Sequence, residues 1–280
     1  IRAILETMSD KGLCMTFLSK GVRLYQGAPF MPGIFEYQLI AGGKSKREKK
    51  IAHLIHAYKT AYRAKAGEVR ITYPLTRVIP VNRTIRADNV VHTYHQVATY
   101  IEKYDTIAVG TCYCRHGAKL RGEHIRGMPL EVCMWFGKGA EYMIERLGGK
   151  PLTKSEAKAL LDETEEAGLI HMSRNTAEDI DFLCNCDRWH CEVVQRALAQ
   201  PKPGWVFNSG FQPVFDGDRC IVCETCVGYC PPEALTMPME GDRPILDPDR
   251  CFGCGVCASN CSAEAIVMET RPDIPPPPKD

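Results

Sequence analysis

No stretch of the 280 residues approaches the eighteen consecutive apolar positions of a membrane-spanning helix. Missing too are a Gly-x-Gly-x-x-Gly after a strand and a Walker sequence, the two usual backbone cradles for a nucleotide phosphate. The stretch "GFQPVFDGDRC" lacks the residues a flavin site needs. Any flavin, nicotinamide or organic substrate is therefore expected on a partner protein. An excess of one charge sign is absent overall, since the net charge is +1. So is an even cysteine count: there are fifteen, in clusters. Disulfide scaffolds are short secreted chains with paired cysteines. Cys-x-Cys and Cys-x-x-Cys spacings instead suit thiolate ligands in a reducing compartment. The sequence opens at Ile1 with no signal-peptide pattern, what precedes it is left open, and a cytoplasmic location is the expectation.

The charge that is present is unevenly spread. Residues 213–280 carry five basic and twelve acidic side chains, a net −7, which leaves +8 for residues 1–212. A basic body with an acidic module suits nucleic acid, a solvated basic surface or an acidic protein partner.

Ile1, Ile4, Leu5 and Met8 share one helical face, and Gly12 reads as the stop. "LCMTFLSKGVRLYQ" then reads as two strands around a Lys20-Gly21 turn, and Pro29 and Pro32 close the segment. Helix followed by hairpin resembles the end of a winged-helix domain. "KSKREKKIAHLIHAYKTAYRA" has Ile51, Leu54, Ile55, Tyr58 and Tyr62 at helical spacing, with a lysine-rich face for solvent. His53, His56, His92 and His95 have no cysteine or carboxylate partner in sequence and read as structural. "VRITYPLTRVIPVNRTI" is extended in character, and residues 91–104 read as helical. "PLTKSEAKALLDETEEAGLIHM" is the clearest helix, with Thr153 and Glu156 as a capping box and Gly168 at its end. "PKPGWVFNSG" reads as a linker, and "RPDIPPPPKD" as an extended or disordered tail.

"DRCIVCETCVGYCPPEAL" and "DRCFGCGVCASNCSAEAI" repeat Cys-x2-Cys-x2-Cys-x3-Cys. This doubled pattern resembles the bacterial two-cluster ferredoxin, in which the fourth cysteine of each run serves the other cluster. The resemblance implies one [4Fe–4S] cluster on Cys220, Cys223, Cys226 and Cys261, and a second on Cys251, Cys254, Cys257 and Cys230. Pro231 follows Cys230 as in that family, whereas Ser262 replaces the second such proline. Ile221, Val222, Val227, Phe252, Val256 and Ile266 are expected to shield the clusters from water. With a thiolate at every iron, such a module moves single electrons and does no bond chemistry. A pair of zinc knuckles is the alternative use of these cysteines.

Six more cysteines lie centrally: Cys112 and Cys114 in "GTCYCRHGAKLRG", Cys133 in "PLEVCMWFGKGAEYM", and Cys184, Cys186 and Cys191 in "FLCNCDRWHCEVV". They are more than core packing would place there, and a metal or cluster site is expected. Lone Cys14 reads as an apolar filler. This region and the N-terminal part resemble a family of winged-helix, ferredoxin-like iron–sulfur proteins from anaerobes. "DKGL", "PFMPGIFEYQ", "VIPVN", "CYCRHGAKL", "PLEVCMWFGKGAEYMIERL", "EEAGLIHM" and "CNC" carry the resemblance. The last motif in that family reads roughly Cys-Asn-Cys-Cys-x-x-Cys-Cys, and here Asp187 and His190 stand where cysteines are expected. The resemblance thus implies one central [4Fe–4S] cluster on Cys112, Cys114 and Cys133 with one of Cys184, Cys186 or Cys191. The remaining pair, with His190 or Asp187, binds zinc or a second cluster, or binds nothing. Arg115 and His116 are placed to offset cluster charge.

These readings give an α+β chain: a winged-helix-like segment (1–43), a helical and extended connector (44–105) and a mainly helical central cysteine-rich domain (106–200). A linker (201–212), a 2[4Fe–4S] ferredoxin domain (213–270) and a proline-rich tail (271–280) follow. The expected function is cytoplasmic electron transfer, as a non-catalytic subunit relaying low-potential electrons to or from a larger anaerobic redox enzyme. That partner would bear flavin, tungsten or another cofactor. Two rivals stand beside it. One is a redox-sensing DNA-binding regulator using Lys20, Arg23, Lys44, Lys46, Arg47, Lys49 and Lys50, against the expectation that nucleic acid is not a partner. The other is an enzyme with an open-iron central cluster.

Overall fold

Lys20 and Gly21 demand a tight hairpin, and the chain makes one. The computed structural model describes residues 1–29, 33–66, 71, 74–81, 84–85 and 96–279. Pro32, His92, His95, the start of the 91–104 helix and Asp280 lie outside those residues. Two units divide the chain, residues 1–69 with 104–157 and residues 70–103 with 158–280.

In the first unit α1 (Arg2–Asp10) leads into β1 (Cys14–Ser19) and β2 (Val22–Gly27), paired from Cys14↔Gly27 to Ser19↔Val22. Lys20 and Gly21 have φ of +50° and +76°, the left-handed pair that a type I′ turn uses. The helix-then-hairpin order is as expected, but the helix does not bury the expected face. Ile1 and Ile4 are 96% and 64% exposed. Polar contacts anchor α1 instead. The Tyr142 hydroxyl meets the carbonyls of Ser9 and Cys14, each at 2.9 Å, and Arg146 pairs with Glu6 and Asp10 at 2.6 and 2.7 Å.

A 3-10 turn (Glu36–Gln38) precedes α2 (Lys46–Ala66), which packs Ile51, Ala52 and Ile55 inward. Next along the chain, β3 (Thr76–Val78) and α3 (Val97–Lys103) belong to the second unit. The first unit resumes with β4 (Ile107–Thr111), α4 (Tyr113–Leu120), β5 (Glu131–Phe136), α5 (Gly137–Arg146) and β6 (Lys150–Leu152). β4 is antiparallel to both β5 and β6. The rings of Trp135 and Tyr142 pack on Tyr37 at 5.7 and 5.6 Å. α6 (Lys154–Glu166) starts with the expected capping box: Glu156 accepts from the Thr153 amide at 2.8 Å, and its own amide donates to Thr153 Oγ1 at 3.2 Å.

In the second unit β7 (Ile170–Arg174) lies between β3 and β8 (Phe182–Cys186), antiparallel to both. α7 (Glu192–Leu198) and α8 (Pro203–Val206) follow. The remaining elements carry the two cysteine runs: β9 (Phe211–Phe215), α9 (Thr225–Tyr229), β10 (Leu235–Thr236), β11 (Ile245–Leu246), α10 (Val256–Ser259) and β12 (Ile266–Thr270). β9 pairs with β12, and β10 with β11, both antiparallel.

The chain is mixed helix and sheet, as an α+β class requires. Two finer expectations differ. Residues 106–200 are not mainly helical, since they contain β4 to β8. β4 is buried at every position and β8 at four of five, so neither shows the alternation that marks a half-buried strand in sequence. Residues 201–212 are not a free linker either. Phe207, Ser209 and Phe211 are buried, Phe207 meets Phe252 edge-on at 5.0 Å, and the Ser209 amide donates to the Phe252 carbonyl at 3.1 Å. The tail is extended and tied down, with the Pro278 carbonyl accepting from the Ala177 amide at 2.7 Å.

Because one hydroxyl serves two buried carbonyls, Tyr142→Phe is expected to lower unfolding free energy by about 1–3 kcal/mol. Urea denaturation reads this, and an unchanged midpoint would contradict the anchoring role.

Candidate functional site

The two cysteine runs bend by the same device at three matched positions. Two residues after the first cysteine of each run, φ is +54° at Val222 and +65° at Gly253. One residue after the second, it is +59° at Glu224 and +79° at Gly255. Three residues after the fourth, it is +51° at Glu233 and +48° at Glu264. For a non-glycine residue this left-handed backbone costs about 1–2 kcal/mol, and most for a β-branched one such as Val222. Such strain persists where the surrounding structure uses it.

Here it turns amide hydrogens toward sulfur. The Ala234 amide donates to Cys230 Sγ at 3.2 Å, and the Ala265 amide, at the equivalent place, to Cys261 Sγ at 3.4 Å. The Gly253 amide donates to Cys251 Sγ at 3.4 Å. Ser262 therefore keeps the loop geometry that Pro231 has in the first run. A Cβ on Gly253 would sit 2.2 Å from the Phe211 carbonyl oxygen, so only glycine fits there.

The thiols fall into two groups. Cys220, Cys223, Cys226 and Cys261 line one cavity, walled by Phe215, Met237 and Ile266. Cys230, Cys251, Cys254 and Cys257 line a second, walled by Leu235, Phe252 and Met268. Each cavity thus draws three cysteines from one run and one from the other. Their empty space is about 360 and 300 Å³, partly open to solvent. Among the described residues no three His, Cys, Asp or Glu are gathered closely enough to hold a single metal ion. Four thiols spread around a cavity fit a polynuclear iron–sulfur core and not a zinc knuckle.

The cavities differ in exposure. All four cysteines of the second are buried, whereas Cys223 of the first is exposed and Cys220 and Cys261 are half-buried. Ile221 and Val222, expected as shields, are 64% and 43% exposed, and Ile221 lines the first cavity. Shielding falls instead to Phe252 and Val256, both fully buried.

Burial pushes the Cys226 and Cys251 thiols up to about 11, against the opposing pull of the Val227 and Gly253 amides. It pushes Cys254 and Cys257 higher still, and raises Cys230 against the amides of Ala234 and Leu235. Cys223 is held below its ordinary value by hydrogen bonds with the Thr225 hydroxyl and amide.

The central cysteines lie three in each unit. Cys112 caps α4, Cys114 sits in its first turn, and Cys133 lies on β5. The Cys112 and Cys133 thiols are hydrogen-bonded to each other; that bond and burial push Cys112 well up, while Arg115 pulls it down. In the second unit Cys184 and Cys186 share one face of β8, and Cys191 caps α7. Asp187 Oδ1 accepts from the amides of Trp189 and His190 at 2.9 and 2.6 Å, and Oδ2 meets His190 Nδ1 at 2.9 Å. This acid and imidazole build the turn into α7. Arg115 and His116 are both buried; Arg115 Nε donates to the Pro129 carbonyl at 2.9 Å, and His116 Nε2 meets the Gly43 carbonyl at 2.8 Å. Cys14 is buried as expected, and its thiol donates to the Leu5 carbonyl at 3.3 Å.

Sequence reading missed the two segments that back the second cavity. The Val81 amide donates to the Cys254 carbonyl at 3.1 Å, the Gly204 amide to the Asp249 carbonyl at 2.8 Å, and Ser209 Oγ to the Gly253 carbonyl at 2.6 Å. The aromatic spacing of "WVFNSGF" was the available signal, masked by its proline and glycine content.

Residues 219–265, which include all eight C-terminal cysteines, match the family model of the 4Fe-4S dicluster domain. No curated protein sequence matches the chain. The match and the two cysteine-lined cavities together support 4Fe–4S clusters in the C-terminal region.

Two outcomes follow from the geometry. Gly253→Ala is expected to remove about four irons per chain, the content of one cluster, and full iron content would contradict the close backbone approach. In the metal-free protein, folded Cys226 and Cys251 keep their protons to about 11, against an ordinary 9.0. Their contribution is fully present below pH 9 and is lost as pH rises toward 11. Urea midpoints of chelator-treated protein should therefore fall between about pH 8 and about pH 10, and a rise would contradict the burial.

Proposed function

We propose that the chain is an iron–sulfur electron-transfer protein that relays single low-potential electrons to or from a larger anaerobic redox enzyme. The observation that carries this reading is the sorting of eight cysteines into two cavities of four, each crossing between the runs. Cys220, Cys223, Cys226 and Cys261 would hold one [4Fe–4S] cluster, and Cys230, Cys251, Cys254 and Cys257 the other. Each cluster, when bound, supplies a one-electron redox couple. With four thiolates per cluster no iron is left for substrate, so bond chemistry belongs to the partner.

The chain's own residues set the properties of the couple. Apolar walls exclude water, which disfavours the more negatively charged reduced state. Amides aimed at Cys230, Cys251 and Cys261 oppose that by stabilising charge on sulfur. Two cations that act on cysteines of the second cavity are matched by anions, Arg188 by Glu233 at 2.7 Å and Arg271 by Asp273 at 2.9 Å. Burial then remains as the main difference between the sites. The second cavity should hold the lower potential, and the exposed edge at Cys223 should exchange electrons with the partner. The acidic charge of residues 213–280 favours a partner with a basic rim around its own redox centre.

EPR-monitored redox titration of the anaerobically loaded chain tests this. Two one-electron couples are expected, and Glu224→Lys, at the first cavity, should raise the higher potential and leave the lower one in place. Colourless protein without acid-labile sulfide would end the proposal.

A further inference from the structure

Consecutive carbonyls of the second run, from Cys251 to Cys254, each accept a hydrogen bond from outside that run. Asn208 Nδ2 donates to the Cys251 carbonyl at 2.9 Å, and the Ser209 amide to the Phe252 carbonyl at 3.1 Å. Ser209 Oγ donates to the Gly253 carbonyl at 2.6 Å, and the Val81 amide to the Cys254 carbonyl at 3.1 Å. All these donors belong to the second unit and lie outside residues 219–265, the part that matches the dicluster family. Among the described residues no donor meets the matching carbonyls of Ile221 and Val222 in the exposed first run.

A trans peptide holds its C=O and N–H on opposite sides. Each carbonyl drawn outward therefore turns the following amide the other way. The Gly253 amide shows where it points, since it donates to Cys251 Sγ at 3.4 Å. A continuous relay results, from the Ser209 amide through the Phe252–Gly253 peptide to the sulfur. Bonds in such a chain polarise one another, and they are stronger where water is excluded.

The donors are themselves held in place. Asn208 Nδ2 also donates to the Gly204 carbonyl at 2.8 Å, and Ser209 Oγ accepts from the Phe211 amide at 3.2 Å. Thr84 Oγ1 donates to the Val81 carbonyl at 2.6 Å, and Ile85 forms a parallel bridge to Met268, which lines the second cavity. Ser209 and Val81 are both buried. Glycine alone admits them this closely: a Cβ on Gly253 would sit 2.5 Å from Ser209 Oγ, and one on Gly255 3.2 Å from Val81.

We propose that Asn208, Ser209 and the Val81 amide are positioning groups that fix the peptides of residues 251–255 with their amides turned toward the second cluster, and so raise its potential without acting on the first. This inference rests on the iron–sulfur reading of the chain. Inward N–H dipoles stabilise the more negative reduced state and oppose the effect of burial. The relay thus holds the two couples closer together than burial alone would set them.

The full chain, loaded anaerobically, is titrated by EPR, and the couple that Cys254→Ser alters marks the second cluster. Ser209→Ala and Asn208→Ala should each lower that couple at about eight irons per chain and leave the other in place. Ser209→Thr, which keeps the hydroxyl, should restore the wild-type value. After exchange into deuterium oxide, the deuteron couplings of backbone amides at the second cluster should weaken in Ser209→Ala. An equal shift of both couples would overturn the inference. Loss of about four irons from either alanine variant would also overturn it, leaving plain anchoring in its place. A wild type without iron–sulfur couples would fail the underlying reading, whereas two couples that both alanine variants leave unmoved would fail this inference alone.

Discussion

A thiol buried in an apolar cavity cannot ionise unless positive charge stands beside it. That constraint governs the C-terminal module. Cys251, Cys254 and Cys257 are buried together with Cys230, and burial alone drives each of them toward the protonated form. The backbone works in the opposite sense, aiming amides at sulfurs that include Cys230, Cys251 and Cys261 and accepting left-handed strain to do so. A fold that both buries thiols and prepares donors for thiolates suits a positively charged core among its sulfurs. An iron–sulfur core resolves the contradiction, since it supplies the positive charge and takes all four sulfurs at once.

The two runs show how one backbone design tolerates two sets of side chains. The second run has Gly253 and Gly255 where the first has Val222 and Glu224. Side chains added to the glycines would strike Phe211, Ser209, Val81 and Thr84 within 3.2 Å. Val222 and Glu224 carry the same backbone conformation at the exposed surface, where a side chain has room. Covering the second run thus made glycine necessary twice over. The same cover buries all four cysteines of the second cavity, while Cys223 of the first reaches solvent.

Much of this was legible in the sequence, and the failures share a cause. The cysteine spacing located both runs because ligand geometry is local and repeats, and the Lys20-Gly21 hairpin and Thr153–Glu156 cap were legible for the same reason. Burial was not local. Phe207 and Phe211 looked like parts of a linker because proline and glycine surround them, yet they form the floor under Phe252 and Gly253. β4 and β8 carry no alternation because neither face meets water. Ile221 and Val222 looked like shielding because they are apolar, but both are exposed. In the central region Asp187 and His190 have donor chemistry, and part of it is engaged in the turn into α7.

The crossing of ligands between runs is the claim on which the account rests, and paired single substitutions test it most directly. Cys261→Ser and Cys230→Ser chains, loaded without oxygen, would be followed by EPR during stepwise reduction. The account predicts that Cys261→Ser alters the higher-potential signal and spares the lower one, while Cys230→Ser does the reverse. If Cys261→Ser instead disturbs the lower-potential signal, each run keeps its own cluster and the assignment is wrong.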